Sequence, residues 1–114
     1  MRELATIRER YMRDELPIRL GGLAANLTRI RAFSEHSSNC NIVENLLNES
    51  KFFIEWTAPD ANLELQVELI ELQLQLARWQ RSWLQIWNDD ARRTSIAEKA
   101  QNWYERILKI SDLV

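Results

Sequence analysis

His36 is the only histidine in this 114-residue chain, and Arg31 stands five positions before it. Histidine titrates near neutral pH and arginine stays cationic, so the pair could serve acid–base chemistry on an anionic substrate. A second candidate is Glu64, Glu68 and Glu71, whose i, i+4, i+7 spacing lines one flank of a helix. Carboxylates so placed can hold a divalent cation once acids or histidines from another helix complete the set. No Glu-x-x-His and no facing Asp cluster supplies them, so no metal is expected and the flank is read as solvated and paired with Arg. A third is Trp79, Trp83 and Trp87 at i, i+4, i+8, with Trp103 in a later helix. Aromatic residues at this spacing could form a ligand platform but are read here as core, with Trp87 the partly exposed one. The chain has no phosphate loop, nucleophile elbow, zinc spacing or dinucleotide fingerprint, and no cofactor is expected.

Arg31-x-x-x-x-His36 resembles the active-site motif of HEPN domains, small helical bundles of which many are ribonucleases. The resemblance implies a dimer in which Arg and His of two subunits meet across a cleft and cleave RNA without metal. It covers six residues, with size and helicity in support. In that family the motif usually lies in a C-terminal helix and a polar residue commonly follows its Arg. Here the pair lies in the first third of the chain and Ala32 follows Arg31. A polar His in the loop that ends a helix is the structural reading of the same residues.

Five helical segments and no strands would carry these side chains. Segment one, about 2–14, places Leu4, Ile7 and Tyr11 on one face; segment two, about 18–35, places Leu20, Leu23, Leu27 and Ile30. The apolar phase jumps between them at Pro17, which predicts a break. Segment three, about 42–57, carries Val43, Leu46, Leu47, Ser50, Phe53 and Ile54, with Asn41 and Glu44 as its capping pair. Segment five, about 96–113, carries Ile96, Ala100, Trp103, Ile107 and Ile110, with Ser95 and Glu98 as a capping box. Gly21 and Gly22 early in segment two cost roughly 1 kcal/mol each relative to Ala, which suggests close approach of another helix.

Segment four, about 60–88, has two apolar stripes. One is Leu65, Leu69, Leu72, Leu76, Trp79, Trp83 and Ile86; the other is Leu63, Val67, Ile70, Leu74 and Ala77. They are offset by about 200° on a helix turning about 100° per residue. Segment four is therefore expected to be the long central helix, with segment five on the first stripe and segment three on the second. The second seam would bring Ile54 to Leu63, Leu47 to Ile70 and Val43 to Leu74.

The expected fold is all-α, an up-and-down bundle of four to five helices in one domain spanning residues 1–114. The composition, 46% apolar with two Gly and two Pro, is that of a folded chain rather than a disordered one. No stretch approaches the roughly 20 apolar residues that span a bilayer, and a single Cys allows no intrachain disulfide, so a cytoplasmic protein is expected. Charge is uneven. Residues 1–34 hold seven Arg against four acids, residues 35–76 one Lys against eight acids, and residues 77–114 seven basic against five acidic side chains. That layout suits pairing within a bundle or across a symmetric dimer, and with a net charge of −2 nucleic acid is an unlikely partner. The expectation is a small non-catalytic interaction or regulatory protein of a bacterial type, a homodimer or bound to a protein partner through Phe52, Trp56 and Tyr11. The HEPN-like ribonuclease using Arg31 and His36 is its alternative.

Overall fold

The computed structural model describes residues 3–111. Six α-helices follow in order: α1 (Leu4–Met12), α2 (Leu16–Phe33), α3 (Cys40–Thr57), α4 (Leu63–Arg81), α5 (Trp83–Trp87) and α6 (Asp90–Ser111). Short 3-10 turns, Ser37–Asn39 and Ala58–Asp60, lead into α3 and α4. The described residues contain no strand. The alternating run from Leu63 is helical because Asn62 caps it, its side-chain oxygen accepting from Leu65 N at 2.9 Å. Pro17 lies in the first turn of α2, where a missing N–H costs nothing, and it separates α1 from α2 as its position predicts.

Side-chain bonds fix the directions. Arg19, early in α2, pairs with Asp60 beyond the end of α3 at 3.0 Å. Gln66, early in α4, donates to Ala58 O at 2.8 Å, and Arg106, late in α6, donates to Glu71, midway along α4, at 3.1 Å. Tyr104 and Leu108, late in α6, line one depression with Gly21 and Ala24, early in α2. So α2, α3, α4 with α5, and α6 run up, down, up, down. In this all-α bundle α2 packs against both α3 and α6, and α3 against α4. Short α1 lies outside, on α3.

The core stripes match the sequence pattern. Leu20, Leu23, Leu27, Ile30, Val43, Leu47, Ile54, Leu65, Leu69, Leu72, Leu76, Ile96, Ala100 and Ile107 are fully buried in one continuous core. The second seam of segment four does not form. Leu63 is 76% exposed, Val67 48%, Ile70 52% and Leu74 51%, while their expected partners Ile54, Leu47 and Val43 face inward. The reason is bundle geometry. A helix at the corner of a square meets both neighbours along one broad arc, so α3 and α6 flank the single buried stripe of α4. The most enclosed helix is α2, not α4.

Local boundaries differ too. The 60–88 helix breaks at Ser82 (φ −121°, ψ 34°). Serine is a weak helix former, and the break turns both Trp83 and Trp87 inward. Trp87, expected to be the exposed tryptophan, is the most buried of the four at 2%. Its Nε1 donates to Ser37 O at 2.8 Å, and Arg93 donates to its carbonyl at 2.8 Å. Helix α6 starts at Asp90, five residues before the expected Ser95 cap, because the Asp89 carboxylate accepts from Ala91 N and Arg92 N at 3.0 and 3.2 Å. Helix α3 starts at Cys40 without a side-chain cap; Asn39 donates instead to Phe33 O at 3.0 Å and closes the α2–α3 turn.

A methyl group at Gly22 would stand 3.5 Å from the Tyr11 ring, so α1 does approach closely there. At Gly21 it would meet nothing within 4 Å, on helical backbone. Gly21→Ala is therefore expected to stabilise the fold by about 1 kcal/mol, raising the melting temperature by about 4 °C. Urea and thermal denaturation of the two proteins check this; an unchanged or lower midpoint refutes it.

Candidate functional site

The residues expected to meet a partner are built into the α1–α3 junction. Tyr11 stacks on Phe53 with ring centroids 4.0 Å apart and an interplanar angle of 9°. Trp56 tilts against both rings at 5.9 and 6.1 Å, and Phe52 covers Trp56 at 5.6 Å. Tyr11 and Trp56 are each 9% exposed and Phe52 is half-buried. Helix α1 thus lies over the off-stripe aromatic pair, and a partner could reach only part of Phe52 without displacing α1.

A polar network holds α1 in place. The Tyr11 hydroxyl donates to Arg19 O at 2.8 Å and bonds Thr57 Oγ1 at 3.0 Å. Arg19 is buried; its Nε donates to Asp14 O at 3.1 Å and its Nη1 to Asp60 Oδ2 at 3.0 Å. The network ties the α1–α2 elbow to the α3–α4 turn. Burial pushes the Tyr11 hydroxyl up from 10.0 to about 12, against the bond from Thr57 and the nearby Arg19 charge.

Arg31 is exposed in the last turn of α2, beside Ala97, Glu98, Gln101 and Asn102 of α6. His36 is exposed before the Ser37–Asn39 turn. No hydrogen bond joins them within the described residues of one chain. Glu68 and Glu71 both accept from Arg106, whose guanidinium also lies 3.9 Å over the Trp103 ring. Among the described residues no three metal-ligating side chains come together. Trp79, Trp83, Trp87 and Trp103 are all core.

The outer face of α4 is open to solvent. The helix has four distinct sides. Leu65, Leu69, Leu72 and Leu76 face the core. Gln66 reaches Ala58 O in the turn after α3, and Gln80 reaches Lys51 of α3. Glu68 and Glu71 reach Arg106 of α6. About 180° from the core, Leu63, Val67, Ile70 and Leu74 form an apolar stripe bounded by exposed Glu64, Arg78 and Arg81. The stripe is as regular as the core stripe, so sequence periodicity finds it; that it faces outward follows only from the bundle. No helix of the described residues is long and apolar enough to cross a membrane. Comparison of the chain with protein-family models, curated proteins and solved structures finds no match.

Two outcomes test the α1 junction. Trp56→Ala is expected to cost about 3–5 kcal/mol, as for a buried aromatic, measured by urea unfolding; a cost below about 1 kcal/mol would place Trp56 at a free surface. Tyr11 is neutral in both states below pH 10. Between pH 10 and 12 only the unfolded chain ionises it, so stability falls as pH rises, by roughly 2–3 kcal/mol. Tyr11→Phe is expected to lack that part of the fall. Parallel pH–stability curves for the two proteins would contradict this.

Proposed function

We propose that this chain is a small non-catalytic interaction protein and that the outer face of α4 is its docking surface. The observation that supports it is the uninterrupted stripe Leu63, Val67, Ile70, Leu74, each residue about half exposed or more. Singly exposed aliphatic residues are ordinary, but a contiguous row at 4-3 spacing is the pattern by which one helix seats on another. The stripe adds nothing to the chain's own core, which is complete without it. Phe52, Trp56 and Tyr11, the surface expected from sequence, serve in this reading to dock α1 and leave α4 as the accessible apolar face.

The test is site-specific photocrosslinking in extract of the cells that make the protein. A crosslinking side chain at Val67 is expected to give a discrete, saturable protein adduct, and one at exposed Asn102 on α6 none. Ile70→Lys with Leu74→Lys is expected to abolish the adduct while leaving the urea midpoint nearly unchanged. Equal labelling at positions 67 and 102, or an adduct that survives both lysines, would overturn the proposal.

A further inference from the structure

The charges beside this stripe bear on what docks there. Read as a heptad seam, Val67 and Leu74 take a positions and Leu63, Ile70 and Ala77 take d positions. Glu64, Glu71 and Arg78 then fall on one flank and Gln66, Gln73 and Gln80 on the other. The charged flank is acidic toward the start of α4 and basic toward its end. Neither Glu64 nor Arg78 has an ion-pair partner among the described residues, whereas Glu68 and Glu71 are held by Arg106.

We propose that the occupant of this face is a second copy of the chain, its α4 antiparallel to the first about a two-fold axis that passes the outer face between Ile70 and Leu74. This rests on the docking surface proposed above and names its partner. An antiparallel helix pair sets like flanks against each other, so a self-complementary flank must change sign about its midpoint. This one does. With a seam that layers Val67 on Ala77 of the second copy and Ile70 on Leu74 of the second copy, Glu64 meets Arg78 of the second copy, twice by symmetry. Arg81 falls opposite Leu63 and can lay its aliphatic stem over it while its charge stays in water. The glutamine flank meets itself without charge. Glu71 meets its own counterpart at the axis, and there each carboxylate already carries the Arg106 guanidinium of its own chain at 3.1 Å. A parallel pairing would set the charged flank against glutamines and use none of this complementarity.

The experiment is a concentration series by light scattering and sedimentation up to about 1 mM. The wild type is expected to self-associate reversibly. E64R alone and R78E alone each create two like-charge contacts and are expected to weaken association about tenfold. The double variant E64R/R78E restores both pairs and is expected to recover wild-type association, as is an equimolar mixture of the two single variants. Glu64 lies in the first turn of α4, where a cation opposes the helix dipole, so circular dichroism accompanies each variant. The double variant carries the same change at position 64, and its recovery separates charge pairing from lost helix. A wild type that stays monomeric throughout overturns the second copy but not the docking face, which the crosslinking decides separately. Association that the single swaps leave unchanged, or that the double swap fails to restore, overturns this pairing.

Discussion

A helix at the corner of a four-helix bundle can bury one side only, and most of this structure follows from that constraint. Its two neighbours reach it over one arc of about 100–140°, and the opposite side faces water. For α3 and α6 the constraint is met with mostly polar residues outside, Ile42 and Leu108 apart, and Val43, Leu47, Ile54 or Ile96, Ala100, Ile107 inside. Helix α2 is enclosed more deeply. It buries Leu20, Leu23, Leu27 and Ile30, and also Ala24, whose small side chain lets α6 come close. On α4 the same constraint separates two stripes that the sequence makes look alike, one becoming core and the other surface.

The two ends of the bundle are closed by different means. At the α3–α4 end, the buried Arg19 guanidinium bonds Asp14 O and Asp60 Oδ2 while the Tyr11 hydroxyl bonds the Arg19 carbonyl and Thr57 Oγ1, and α1 is held against Phe53 and Trp56. A buried charge is costly to desolvate, so Arg19 gains little stability from its pair but strongly disfavours any α1 placement that leaves it unpaired. At the other end, Trp83 and Trp87 pack at 5.2 Å under Arg93, which lies over the Trp87 ring and bonds its carbonyl. The break at Ser82 makes that arrangement possible.

Much of the fold was legible in the sequence. Periodicity locates the buried stripes of α2, α3, α4 and α6, and Pro17 marks the break before α2. Three things were not legible, each for a physical reason. Periodicity locates a face but not what covers it, so the outer stripe of α4 was matched to α3 when α2 already occupied that helix. A one-residue break shifts helical phase, so Trp87, expected to be the partly exposed member of the core tryptophans, is instead the most buried of them. Short caps compete, and Asp89, which precedes Ser95 in the chain and accepts from Ala91 N and Arg92 N, begins α6 early. As for the site, Arg31, His36 and the three glutamates stand out by type, whereas the outer stripe stands out only once burial is known. That α1 lies over Phe52 and Trp56 depends on a docking contact between segments, which no local pattern encodes.

The composition of α4 argues that its outer face is not merely solvated. Val67 and Ile70 are β-branched, and on an exposed helix they lose side-chain freedom without the burial that offsets it. The neighbouring positions show what this helix places against water or polar neighbours: Gln66, Gln73 and Gln80 on one side, Glu64, Glu68 and Glu71 on the other, all good helix formers. In an isolated chain, polar residues at 67 and 70 would make a more stable helix and a less adhesive surface. Aliphatic residues there become favourable where that face leaves water, which is the condition the proposed docking would supply.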